Sequence, residues 1–450
     1  MTFRPFAVMA LAIVAAISLD AQTYKVIHNF PSGYENPNSE GSLAQTRGGY
    51  IIGSSNTYVQ GNPRGVVFRM TTGGQYVVLH QFTTSEGYEP FGGLTVGKDG
   101  WFYGTTENGP GSNVHGTVFR MNKYGNVTTL HVMTSADGGY SYTAPIQSVA
   151  GDFYGTAISG TIYRMSPSGS FQVIHDFGSA QGNWPPLIQA MDPDFGFYGV
   201  TFAGGINDQG TAFRIDSSGN FTTLFQFDST HGANPPAALV QAADGNFYGV
   251  TDNGGANGMG VIFRMTPQGV VTVMHSFGGP DGNYPRASMV AASDGNLYGT
   301  TEIGGTTNQG VLFRISPSTG AYTVVHNFSG SSGWAPDCGL MQHTNGLIYA
   351  TTGRGGPADV GVLYSMDLGL PPFVEYLPVY GRPGATVQIY GQGFTNSTQV
   401  LFNGVPAASN TVYPTYLTAV VPPAATTGYI TVVTPSGTLK SNKIFVVHPQ

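Results

Sequence analysis

Short apolar stretches recur along this chain, each flanked by polar turn residues. One clear unit runs from Asn283 to Phe328. It holds four such stretches in order: "ASMVAAS", "NLYGTT", "GVLFRIS" and "AYTVVHNF". No stretch shows a 3.6-residue apolar period, so helices are excluded and short strands are predicted. Asp294-Gly295 separates the first two stretches, a hairpin signal. "SPSTG" separates the last two, with Pro and Gly at turn positions.

The unit repeats. Its third stretch carries an aromatic-Arg-Met/Ile triplet at Phe68, Phe119, Tyr163, Phe213, Phe263 and Phe313, and a variant at Tyr364-Ser365-Met366. The aromatic positions are spaced by 51, 44, 50, 50, 50 and 51 residues. Four antiparallel strands in about 40–50 residues is the signature of a propeller blade. The third unit is short because only "ISG" lies between its second and third strands, which leaves the strands themselves intact.

The ends of the repeat complement each other. The seventh copy passes through "LIYATT" and "GVLYSMDL", then meets Pro371-Pro372 without a fourth strand. Thr23–Phe30 ("TYKVIHNF") is a fourth strand with no blade before it. Pairing the two completes a blade and removes open edges. The expected fold is all-β: a seven-bladed β-propeller over 22–370, its last blade closed by the N-terminal strand, then a smaller domain over 371–450.

Composition and charge narrow the function. The 450 residues carry a net charge of −7 and no basic run, which argues against nucleic acid. Arg4 followed by the apolar Phe6–Leu19 reads as a signal peptide over 1–21, too short to span a bilayer. Cleavage after Ala21 is expected, although Leu19 is imperfect at its position; an uncleaved anchor is the alternative. No later segment is apolar for long enough to span a membrane. The single cysteine, Cys338, reads as a small buried apolar residue. Export to the bacterial periplasm, cell surface or medium is expected.

Blades of the form "DG-N-[FL]-YG-[TV]-T…GG…G-x-x-F-R-[MI]-x-P-x-G…V-x-H-x-F" resemble the GloVer tandem repeat over Thr23 to Leu368. That resemblance implies an exported bacterial protein but no defined chemistry. The remainder is similar to the IPT/TIG domain, an immunoglobulin-like sandwich. The matching segments are "GRPGATVQIYGQGF" (Gly381 to Phe394), "VLFNGVPA" (Val400 to Ala407), "TGYITVVTPSG" (Thr427 to Gly437) and "SNKIFVV" (Ser441 to Val447). The resemblance implies a structural or interaction module.

Candidate chemistry is sparse. His28, His80, His131, His175, His275 and His326 share one place in six fourth strands, with Phe225 in the other. Residues spread around a rim cannot meet on one ion, so no metal or cofactor is expected and packed histidines are. Alternation puts Val271, Val273, His275 and Phe277 on one face. The triplet arginines, Arg69 to Arg314, read as struts stacked on a cross-strand Tyr or paired with a loop acid.

Loops after the second and fourth strands open on one face of a propeller. The segments after strand four hold Tyr34, Tyr88, Tyr140, Trp184, Tyr284 and Trp334, taken as the ligand-binding candidates. They also hold Glu35, Glu86, Glu89, Asp137, Asp281 and Asp337, with Arg286 among few bases. Such a face suits a glycan or a surface protein as partner. A packing role between blades is the alternative for the rings. The expected function is a secreted or surface binding or scaffold protein. The alternative is a polysaccharide-active hydrolase or lyase using carboxylates at the mouth.

Overall fold

A computed structural model describes residues 22–31, 36–37, 41–56, 65–111, 114–178, 182–183, 186–190 and 196–448. The proposed signal segment, Tyr34, Glu35 and Trp184 lie outside the described residues.

The repeats form seven consecutive antiparallel sheets, and the sandwich follows. In the sixth blade the strands are Val290–Ala291, Leu297–Thr301, Val311–Ile315 and Tyr322–Asn327, hydrogen-bonded in that order. The second and third strands are the core: all of Leu297–Thr301 is buried, as is every residue of Val311–Ile315 except Arg314. Local chemistry fixes this geometry. Asp294 in the first turn accepts from the hydroxyl of Tyr298 at 2.9 Å, so the "DGNLY" stretch ties its turn to its strand. The strand-two glycine faces the strand-three ring. A Cβ on Gly53 or Gly104 would come 2.7 Å from Phe68 or Phe119. Where this glycine is replaced, at Ala350, the third-strand partner is Tyr364.

The seventh blade is composite. Its strands are Met341–Gln342, Ile348–Thr351 and Val362–Asp367, and its outer strand is Thr23–Asn29. Thr23 pairs with Asp367 and Asn29 with Val362, antiparallel, as the sequence arithmetic requires. Each blade buries apolar side chains against the next. Phe30, Phe68, Met70, Tyr349 and Leu363 form one cluster that joins the seventh blade to the first. Glutamines of the innermost strands add bonds between blades. Gln45 of the first blade donates to the Thr344 hydroxyl of the seventh at 2.9 Å and accepts from the Thr344 N–H at 2.9 Å. Gln147 and Gln189 accept from Lys98 and Val149 of the preceding blades in the same way.

One expectation is corrected. Val271, Val273, His275 and Phe277 do not share a face. Register shifts between Ile262 and Phe263, so Phe263 pairs with Val273 and Ile262 with His275, leaving Met274 extra. This β-bulge recurs in all seven outer strands. Before it, Val271 and Val273 pack toward the fourth blade. After it, Met274 and Phe277 pack toward the sixth. The bulge thus lets one strand serve two seams.

The histidines occupy the second seam. His275 stacks on Tyr322 of the next blade, with centroids 3.8 Å apart and planes 1° apart. His28 on Tyr76, His131 on Phe171, His175 on Phe221 and His326 on Tyr24 repeat the stack. The arginines act as struts: Arg69 lies over Tyr50 and Arg120 over Trp101, and Arg164 binds Asp152.

The C-terminal domain is a sandwich of two sheets around Val387, Ile389, Val400, Leu417, Ile430 and Val432. It sits on the propeller face formed by the turns after the first strands. Gln388 donates to the Lys98 carbonyl at 2.6 Å, Thr415 to the Arg47 carbonyl at 2.7 Å, and Asn442 to the Ala291 carbonyl at 3.2 Å. Arg47 lies 4.7 Å from the Tyr416 ring centre. No helix of the described residues is long and apolar enough to cross a membrane.

Candidate functional site at the propeller mouth

The opposite face carries the open mouth. Five of the seven repeats begin with a corner of the form Gly-x-y-Pro, as in Gly282-Asn283-Tyr284-Pro285. Residue x is tied to the blade: the Asn283 N–H donates to the Ile303 carbonyl at 3.0 Å. Residue y turns left-handed, with φ of 61° at Glu89, 58° at Asn234, 54° at Tyr284 and 52° at Ala335. Side chains other than glycine adopt this conformation at a cost, and it concentrates at functional sites. The turn aims the residue after the proline at the axis. Pro236, Arg286 and Asp337 hold this position and line the central cavity.

The cavity has a volume of about 660 Å³. Leu94, Ile146, Leu187, Leu239 and Met289 wall it, while Tyr142, Phe202, Asp252, Arg286 and Asp337 contribute near its mouth. A volume in this range, apolar walls and a few polar groups are the attributes of a small-molecule or side-chain site.

Charge is gathered on two sides. Asp252 and Glu302 each follow the second strand of their blades, and Arg286 bridges them. Its Nε lies 3.4 Å from Asp252 Oδ2 and its Nη1 2.7 Å from Glu302 Oε2. Asp252 is only 5% exposed. Burial pushes its carboxyl up to about 6; Arg286 opposes that and Glu302 adds to it. Across the mouth, burial raises the Glu89 carboxyl, and Glu107, hydrogen-bonded to it, raises it further. Asn108 donates to Glu89 at 2.5 Å and Tyr142 donates to Glu107 at 2.9 Å.

The rings singled out from sequence are placed on separate blades. Tyr88 packs into the seam of Ile52, Val67 and Phe82. Tyr140 meets His115 edge-on at 4.9 Å. Trp334 packs on the seam of Phe328 and Tyr364, and its indole N–H donates to Asp359 at 3.3 Å. Tyr284 lies 5.6 Å from the Arg286 guanidinium, beside the charged side of the mouth. None of these four lines the cavity.

The acids divide into two sets. Glu86, Asp137 and Asp281 turn outward and accept from His80, His131 and His275 at 3.0, 3.2 and 2.7 Å. Glu89 lies at the mouth and Asp337 lines the cavity. Asp252, Glu302, Glu107, Tyr142 and Phe202 were missed from sequence. A signal existed: two positions beside constant repeat residues change in charge from blade to blade. After the corner proline stand Phe91, Pro236, Arg286 and Asp337; after strand two stand Glu107, Phe202, Asp252, Glu302 and Gly353. Among the described residues no group of three or more His, Cys, Asp or Glu side chains is placed to hold a metal ion.

Fold and site define a repeat propeller with a polar mouth over an apolar channel, backed by an immunoglobulin-like domain. The Gloeobacter/Verrucomicrobia repeat model matches residues 13–160 and 155–364, and the chain belongs to that repeat family. The IPT/TIG domain model matches residues 371–446. Both are the families that the repeat and sandwich motifs resemble. No curated protein matches the sequence. Among solved structures, a fungal alcohol oxidase of the AA5 family in complex with copper is 13% identical, with a TM-score of 0.50, covering 94% of this chain and 100% of that one. PorZ, a surface component of the type-IX secretion system of Porphyromonas gingivalis, is 14% identical with a TM-score of 0.46, over 93% of this chain and 61% of its own. A putative 6-phosphogluconolactonase from Bacteroides uniformis is 16% identical with a TM-score of 0.47, over 66% and 86%. The oxidase likeness is one of fold.

Proposed function

We propose that this is an extracellular, non-enzymatic binding or scaffold protein whose propeller mouth recognises a glycan or protein partner. The observation that carries the reading is the division of the two faces. The sandwich packs on the turn face through Gln388, Thr415 and Asn442. The other face presents a cavity of about 660 Å³ with charged and aromatic groups at its mouth. Tyr34, Tyr88, Tyr140, Trp184, Tyr284 and Trp334 are proposed as rim contacts, Tyr284 first because it adjoins Arg286. Membership of a repeat family and an IPT/TIG domain support a surface role. The test is a screen of the full chain against a glycan array and surface-protein extracts, beside Tyr284→Ala and Asp252→Asn. Partners retained equally by all three proteins would refute recognition at the mouth.

One observation favours a second reading, a polysaccharide-active hydrolase or lyase. Asp252 is a buried carboxyl pushed up to about 6, as a general acid requires. Release of new reducing ends from a polysaccharide panel, abolished in Asp252→Asn, is the result this reading requires.

A further inference from the structure

We infer that the mouth of the propeller is a receptor for an aliphatic cation, a primary ammonium or guanidinium whose carbon stem lies in the apolar channel. This rests on the mouth being the recognition face and names the chemistry it takes.

Three observations carry it. Asp252 is buried and lines the cavity, and its Oδ1 has no hydrogen-bond partner. Buried carboxylate oxygens are almost always paired, so an unpaired one at a cavity wall marks the place of a missing donor. Next, the charged groups are not required by the fold. Blades with Phe202 or Gly353 in place of Asp252, and with Pro236 in place of Arg286, build the same sheets. Finally, the site already holds one cation of this kind. Arg286 gives its guanidinium to Asp252 and Glu302 while its side chain stays 47% exposed. Two carboxyls, Asp252 and Glu302, share that single base, so one negative charge remains for a second cation. Below them the walls offer Leu239 and Met289 to a methylene stem.

The reading separates from its neighbours by chemistry. A neutral sugar satisfies hydroxyl partners but gains nothing from the charge excess. An anion is repelled. A cation gains from both the carboxyls and the channel, and its binding weakens as salt screens the mouth.

The experiment is calorimetric titration of the full chain with putrescine, with the peptide acetyl-Gly-Arg-Gly-amide, and with cellohexaose. Expected is saturable cation binding that weakens with salt. Asp252→Asn should lower the affinity by about tenfold or more, the size of a lost charge-assisted bond. Arg286→Gln removes the internal competitor and should raise it. A thermal melt of each variant checks that it folds, and the gain in Arg286→Gln needs no destabilised protein. Binding of putrescine but not the peptide assigns a free amine; the reverse assigns a protein side chain. Cation binding equal in wild type and variants would overturn the site. Binding of cellohexaose alone, weakened by Tyr284→Ala, would overturn the cation but keep the mouth as the recognition face. No binding by any probe, together with unchanged partners in the array screen, would remove both.

Discussion

Tyr24 lies flat on His326, with ring centroids 4.5 Å apart and planes 4° apart. The two are separated by most of the propeller in sequence, yet they repeat the stack found between neighbouring blades. Tyr24 also tilts onto Tyr364 at 5.1 Å, and its hydroxyl donates to the Ser332 carbonyl at 2.5 Å. Tyr24 is half-buried, so Tyr24→Ala should cost about 2–3 kcal/mol, less than the loss of a fully buried aromatic. Deleting Thr23–Phe30 should cost more, since it also strips the hydrogen bonds to Val362–Asp367. Chemical denaturation checks both, and a wild-type midpoint for the deletion would show that the strand does not hold the ring.

The outer-strand histidines are packing residues. The fourth blade has Phe225 at this place, so His275→Phe should change stability by under about 1 kcal/mol, while His275→Ala loses the Tyr322 stack and about 1–2 kcal/mol. Denaturant midpoints of the two variants test this. Equal losses would mean that the bond from His275 to Asp281, and not the stack, is what matters.

Asp252 makes stability depend on pH. Its folded pKa of about 6 lies above the ~3.9 of an unfolded aspartate, so the native state keeps the extra proton between those values. Stability from this group is full below about pH 4, falls as pH rises to about 6, and is level beyond. Arg286 and Glu302 are the charged groups that face it. The stability of Asp252→Asn relative to wild type should rise between pH 4 and 7 by up to about 3 kcal/mol. A difference that stays flat across paired melts would contradict the shift.

Gln45 joins the first blade to the seventh by two hydrogen bonds to the buried Thr344. Gln45→Met fills the same space and leaves the Thr344 N–H without its acceptor, while the hydroxyl keeps the Gly391 carbonyl and Gln392. The expected cost is about 1–3 kcal/mol. Hydrogen exchange at Thr344 should accelerate with it; exchange at the wild-type rate would show that the bond is replaceable.

The sandwich is held by few groups, so its seat is testable. Arg47→Ala removes the contact with Tyr416, and Thr415→Val removes the bond to the Arg47 carbonyl. Together they should expose the 368–374 connection to limited proteolysis without changing the propeller melt. Cleavage at the wild-type rate would place the holding contacts elsewhere, at Gln388, Asn442 and the bonds of Thr344 to Gly391 and Gln392.

Sequence by itself determined the local grammar of this protein. The Asp-Gly turns and the split seventh blade follow from contacts a few residues long or from counting repeats. The roles of His275 and Arg69 followed too, because a residue repeated around a ring cannot converge on one point. Tertiary structure decided what depends on direction. The outer-strand bulge sends Val273 and His275 into different seams, and one extra backbone residue leaves no mark in an apolar pattern. The left-handed corner at Tyr284 sends Arg286, not the ring before it, into the cavity. Arg286 meets Glu302 across its own blade, 16 residues on, and Asp252, 34 residues back, only because the fifth and sixth blades pack side by side. Packing of whole blades sets that meeting, and no local pattern encodes it.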